Sequence, residues 1–294
     1  MPTDSNNNTT LPRRVLGRRL RELREGAGLS RATAAKAAEM GSQTLWRLES
    51  GRSSEVKKMV VNALCDLYEA DDEDRRLLVW LAQESRKDGW WQSFSDALVP
   101  DAEMYVGLEQ SASRITSWQS TLLPGLVQTS DYRRAMWQVS QSQDRVVDLD
   151  REIDLIAKRQ ERLQDSDFAL EVLLSESAVR HQIGDRHVMA DQLRRLIEVG
   201  AQPNVTVRIV RFDAPNHLGL TTKDFVYLEF PEQLNRALTE PPVVYIEGFT
   251  GVLYLDKPIE ADQYQAAIHD LRRVALDRKQ TLDLIEAVLK EFQA

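Results

Sequence analysis

A chain of 294 residues exceeds one ordinary domain, and the usual allotment of about 100 to 200 residues per domain predicts two. A hydrophobic fraction of 42% beside 29% charged residues is that of a folded globular protein, and no apolar run approaches the ~20 residues that cross a bilayer, which excludes a membrane span. The net charge of -8 argues against a nucleic-acid partner only until it is divided: residues 11–60 carry twelve Lys or Arg against five Glu, while residues 61–294 carry 26 basic against 40 acidic groups. A basic module followed by an acidic body is the charge pattern of a phosphate-binding face joined to a domain with another task.

Met1 to Thr10 is polar, rich in Asn and without the apolar stretch of an export signal, so residues 1–12 read as a disordered lead-in. Leu16, Leu20, Leu23 and Ala27 then recur at helical spacing with Arg14, Arg18, Arg21 and Arg24 on the flanks, predicting an amphipathic helix with a strongly basic outer surface that ends at Gly28. Ser30 is a good cap for a short Ala-rich helix, Arg31–Ala38, whose small side chains admit a close neighbour. A turn of about four residues, Glu39–Ser42, leads to a second short helix ending near Ser50-Gly51. Two short helices joined so tightly form a helix-turn-helix unit.

In that second helix Leu45 and Leu48 share one face, which leaves Ser42, Gln43, Trp46 and Arg47 outward as readers of base edges. Gln pairs bidentately with adenine and Arg with guanine, so Gln43 and Arg47 are the leading candidates. Arg31, Thr44, Arg52, Lys57 and Lys58 lie where phosphates would be gripped, which sets register without reading sequence. Val56, Met59, Val60, Ala63, Leu64 and Leu67 predict a helix over Ser54–Tyr68 that closes the core, giving a DNA-binding domain over residues 13–70.

These residues resemble the XRE-type, lambda-repressor-like regulators: Leu29-Ser30, Ala34-Ala35, Glu39-Met40-Gly41, Leu45 and Glu49-Ser50-Gly51 stand at the family's positions. The resemblance implies a core-facing Glu49 paired with an Arg of the first helix, here Arg24. Two departures stand out. Glu39 occupies the usual turn glycine, which predicts a non-Gly residue at positive φ, and Gly41 replaces the usual capping Ser.

Asp71–Arg86 reads as a charged connector helix, with the junction at Gly89 closing a connector over residues 71–89. The remainder, residues 90–294, alternates helices with strands predicted at Phe168–Leu174, Val205–Phe212, Asp224–Phe230, Val243–Glu247 and Val252–Leu255, and ends on helices Glu260–Leu276 and Arg278–Phe292. This is an α+β domain with one small sheet after an all-α module. No phosphate loop, dinucleotide fingerprint or nucleophile elbow occurs in it, so an enzyme is not expected. Cys65 is alone and the four histidines lack metal-ligand spacing, which predicts a reduced cytoplasmic protein without metal or cofactor, associated with the nucleoid. Trp90, Trp91, Trp118, Tyr132, Trp137 and His217 are the candidate ligand or partner residues, with ordinary core packing as the competing reading.

This second region resembles the carboxyl-terminal domain of WhiJ-type actinobacterial regulators, from Gly89 to about Ala275. The likeness rests on Gly89-Trp90-Trp91, Leu108-Glu109, Leu123-Pro124-Gly125-Leu126-Val127-Gln128-Thr129, Arg159-Gln160, Glu176, Gln192-Leu193, Asn204-Val205-Thr206-Val207, His217 and Val244-Tyr245-Ile246-Glu247. It implies a regulator whose gene neighbours one for a small acidic partner protein. The expected function is therefore sequence-specific transcription regulation on a palindromic operator in double-stranded DNA, bound as a homodimer, with a sensor or docking domain that takes a small-molecule effector or that partner. The alternative is an antitoxin-like protein that neutralises a small partner and regulates its own gene.

Overall fold

The computed structural model describes residues 11–53, 56–86, 89–94, 102–140, 148–233, 239–249 and 251–294, so the lead-in up to residue 10 and Lys87-Asp88 of the expected hinge lie outside the described residues. The chain divides into two compact units, residues 1–111 with 231–240 and residues 112–230 with 241–294.

In the first unit, helix α1 (Leu11–Gly26) is followed by α2 (Arg31–Ala37), α3 (Ser42–Glu49), α4 (Lys58–Leu67) and α5 (Asp72–Glu84). Their apolar stripes converge on one core of Leu16, Leu20, Ala34, Ala35, Leu45, Leu48, Val61, Leu64, Leu78 and Leu81. The segment read as a connector is thus the fifth helix of this core. Asp71 caps it through the Asp74 amide at 2.7 Å, and Leu78, Leu81 and Ala82 bury its inner face. A short 3-10 turn at Trp90–Phe94 and helix α6 (Ala102–Ser111) complete the unit, which therefore reaches beyond the expected boundary near Gly89.

One close approach sets the seat of α3. Gly17, buried in the middle of α1, lies so near the end of α3 that a Cβ there would stand 2.4 Å from the Leu48 carbonyl oxygen and 2.8 Å from that of Glu49. An exposed helical glycine gains about 1 kcal/mol when replaced by alanine. Here the backbone of α3 fills the space, so Gly17→Ala is expected to lose ~1–3 kcal/mol in urea denaturation instead. A stabilised variant would show that α1 and α3 stand farther apart.

The second unit is built on a mixed six-stranded sheet ordered β3-β2-β1-β4-β5-β6, with β1 at Arg114–Gln119, β2 at Ala169–Ser175, β3 at Val205–Val210, β4 at Phe225–Glu229, β5 at Val243–Gly248 and β6 at Gly251–Leu255. Strands β1, β2 and β3 are parallel neighbours, whereas β4, β5 and β6 follow antiparallel. Helices α7 (Ser130–Ser140) and α8 (Leu149–Gln160) link β1 to β2, and α9 (Glu176–Arg180) and α10 (Arg186–Gly200) link β2 to β3, as parallel neighbours require. Helices α11 (Pro258–Val274) and α12 (Arg278–Gln293) end the chain. Trp118, Leu173, Phe225, Tyr227 and Val244 of one sheet face meet Ala261, Ile268 and Leu271 of α11. On that face the buried Glu171 of β2 receives the Arg272 guanidinium of α11 and the Thr116 hydroxyl, which compensate the burial of its charge.

Five strands fall where periodicity predicts them, but β1 was not expected. Its Arg-Ile-Thr-Ser-Trp-Gln run has apolar side chains only at Ile115 and Trp118, three apart, so alternation is lost. The strand is nevertheless interior, because Thr116 and Ser117 are buried with hydroxyl partners in Glu171 and Gln119.

Candidate nucleic-acid interface

The α2–turn–α3 segment is built from local chemistry. Ser30 caps α2 by accepting the Thr33 amide at 3.1 Å, and the buried Ala34 and Ala35 let α3 pack closely. Glu39 carries the expected positive φ, 53°, while the Met40 amide reaches back to the Ala35 carbonyl at 2.9 Å and ends α2. Gly41 sits at the cap position of α3 without a side-chain bond, which leaves the amides of the first turn of α3 uncapped from that position.

On α3, Leu45 and Leu48 are buried and Ser42, Gln43, Thr44 and Arg47 are exposed. Gln43 and Arg47, four residues apart, form one outward stripe. Trp46 is half-buried, and the Arg52 guanidinium lies 5.3 Å from its ring centroid, so the indole supports an arginine as well as facing outward. Arg31 opens α2 exposed, with its Nε 3.5 Å from Glu49. Lys57 caps α4 and Lys58 begins it, both exposed. Every predicted DNA residue is therefore at the surface in part or whole.

The basic outer surface expected of α1 is largely neutralised. Arg24 donates to Glu49 at 2.6 and 3.1 Å, as the resemblance implied, and Arg19 makes a two-bond pair with Asp74 of α5 at 2.8 and 2.7 Å. The hydrogen bonds to those carboxylates hold the guanidinium pKa values of Arg24 and Arg19 above the ordinary arginine value. Arg14 donates to Glu240 at 2.8 Å, and Arg18 reaches the same carboxylate at 3.4 Å and the Thr239 carbonyl at 2.9 Å. Arg21 is exposed. From α2 to the start of α4 the exposed basic side chains among the described residues are Arg31 and Lys36 on α2, Arg47 on α3, Arg52 and Lys57 ahead of α4, and Lys58 at its start. Glu240, which is 4% exposed and arrives from the connection between β4 and β5, carried no sequence signal because 226 residues separate it from Arg14.

The six candidate ligand residues do not converge. Trp90 and Trp91 stack edge to face at 6.0 Å within the first unit. Trp118 and His217 meet at 6.0 Å against the α11 face of the sheet, where burial lowers the His217 pKa. Tyr132, fully buried, accepts the Leu123 amide at 3.2 Å, and burial pushes its pKa up to about 12. Trp137 is half-buried on α7. Clefts of about 550, 130 and 740 Å³ in the second unit are lined by other residues.

Several residues that carry the second resemblance instead hold the fold. The Pro124–Thr129 turn buries Leu126, Val127 and Gln128, and its backbone is bonded by glutamines from two helices: Gln192 of α10 donates to the Val127 carbonyl at 2.8 Å and accepts the Thr129 amide at 2.7 Å, and Gln160 of α8 donates to the Gly125 and Gln128 carbonyls. Asn204 donates to the carbonyls of Leu163, Asp165 and Phe168, and Glu176 accepts from Arg180 and the Phe212 amide. These side chains bond the backbone of turns and strand ends, which is a structural use of their polar groups.

The amino-terminal unit defines a helix-turn-helix protein. Residues 15–78 match the model of a helix-turn-helix domain, and residues 102–287 match that of a domain of unknown function, DUF5753. The second match spans more than half of the chain, which therefore belongs to the DUF5753 family. Neither a curated protein nor a solved structure matches it. Among the described residues no helix is long and apolar enough to cross a membrane.

Proposed function

We propose that this chain is a cytoplasmic, XRE-type, sequence-specific transcription regulator of the WhiJ kind that binds a palindromic operator as a homodimer and uses its DUF5753 domain as a sensor or docking surface. The observation that carries the reading is the exposed Gln43–Arg47 stripe on α3, seated on a buried leucine face and flanked by Arg31, Arg52, Lys57 and Lys58. With α3 in the major groove, Gln43 and Arg47 meet base edges and Ser42 and Trp46 border them, while Thr44 and the flanking cations grip phosphates. Two-fold symmetry then demands half-sites about one helical turn apart. Phosphate contacts release counterions, so binding falls steeply with salt.

Arg47→Ala and Lys57→Ala test this by failing differently on an operator found by footprinting the full chain on its own promoter. Arg47→Ala is expected to relax selectivity at one base pair of each half-site at a cost of ~1–3 kcal/mol, whereas Lys57→Ala weakens all sequences alike and lowers the salt slope by about one unit. Equal, sequence-blind losses would remove Arg47 from the readers.

A further inference from the structure

The two edges of the sheet are treated oppositely. On β3 the edge is covered: the Ile209 amide donates to the Thr281 hydroxyl at 3.3 Å, the Ile209 carbonyl accepts the Leu276 amide at 2.8 Å, and Arg208 donates to the carbonyls of Leu276 and Ala275. Beyond β6 no strand follows among the described residues. Natural edge strands are blunted by lysine, proline, bulges or brevity. The run Gly251-Val252-Leu253-Tyr254-Leu255 has no charge and no proline, and its five consecutive pairs with β5 contain no bulge. Apolar side chains flank it at both ends as well as at its centre: Leu253 is 50% exposed, Phe249 beside the β5–β6 turn 89%, and Ile259 at the start of α11 69%.

We infer that β6 is a homodimer interface, in which the β6 strands of two copies pair antiparallel about a two-fold axis through Leu253. This deepens the dimer proposed above and rests on that reading. The strand is complementary to its own reverse. In that register Val252 faces the partner's Tyr254, a β-branched residue against an aromatic one, and Gly251 faces the partner's Leu255, small against large. No charged residue lies within the ladder, so no like charges are opposed. The same operation carries the β5–β6 turn of each copy toward the end of the partner's β6, bringing Phe249 toward the partner's Ile259. One two-fold axis accounts for all three exposed apolar side chains and closes the edge, so assembly stops at two copies. A foreign strand would cover the edge but would not pair Phe249 with Ile259 by symmetry.

Cross-linking of the full chain tests the register. Leu253→Cys places two thiols face to face on the axis, and mild oxidation is expected to give a covalent dimer. Leu255→Cys, which faces Gly251 rather than itself, is expected to give none. The native Cys65 is buried, and burial raises its thiol pKa, so it does not compete. Sedimentation of the unmodified chain is expected to show a dimer, and Leu253→Glu, which sets two carboxylates opposite each other, to weaken it about tenfold or more with an unchanged circular dichroism spectrum. A dimeric wild type whose Leu253→Cys form does not cross-link overturns this interface alone and leaves operator binding by a dimer standing. A wild type that stays monomeric both free and on its operator overturns the interface and the proposed dimer together.

Discussion

Replacing Glu49 by alanine is expected to remove ~3–5 kcal/mol from the stability of the helix-turn-helix unit, the penalty of a buried ion pair that loses one partner. Glu49 is 4% exposed at the end of α3, and Arg24, also buried, donates from Nε and Nη2 to that carboxylate. Without it the guanidinium keeps the Leu29 carbonyl at 2.8 Å and the exposed Glu25 carboxylate at 3.2 Å but has lost the buried anion that balances its burial. A domain of this size holds only about 5–15 kcal/mol in total, so α3 would lose its seat in much of the population. Amide exchange of α1 and α3 in the full chain measures the loss. The double variant Arg24→Met, Glu49→Leu separates the causes: because removing both charges relieves the uncompensated burial, it should recover most of the stability. A single variant that costs under ~1 kcal/mol would mean that the pair is solvated rather than structural.

The second large effect is expected at Gln192. Its amide is fully buried and serves both sides of the Pro124–Thr129 turn, donating to the Val127 carbonyl and accepting the Thr129 amide. Gln192→Leu fills the same space but leaves a buried carbonyl and a neighbouring amide without partners, at ~1–3 kcal/mol for each. Gln192→Glu keeps the acceptor for the Thr129 amide but sets a buried carboxylate against the Val127 carbonyl, so at neutral pH it should cost at least as much as Leu, and less at low pH, where the protonated carboxyl donates to that carbonyl. Urea denaturation gives the totals, and exchange of the Thr129 amide reports the turn directly. Unchanged protection of that amide in Gln192→Leu would show that another group holds the turn.

These two sites differ in how far the sequence announced them. The role of Glu49 was legible in the sequence because the likeness to XRE-type regulators implies a core-facing glutamate paired with an arginine of the first helix, here Arg24. Gln192 could be singled out only through the family likeness, since nothing near it marks a glutamine as the support of a turn 63 residues away. The Arg run of α1 misled for the same reason. Read locally it is a solvated basic face, yet Asp74 and Glu240 supply carboxylates from elsewhere in the chain.

By itself the sequence determined the features whose causes are local. Apolar spacing placed helices α1 to α5 and five strands of the sheet, Ser30 marked the start of α2, and the likeness to XRE-type regulators, whose turn glycine is Glu39 here, foretold a positive φ. Only the tertiary structure decided which arginines of α1 are paired with carboxylates, that α5 belongs to the first core, that a polar strand runs through the middle of the sheet, and that β6 is its last strand among the described residues. The physical reason is range. Helical and strand periods act over a few residues, whereas ion pairing, hydroxyl satisfaction in a buried strand and the covering of an edge depend on groups that only folding brings together, as Arg14 and Glu240 are from opposite ends of the chain.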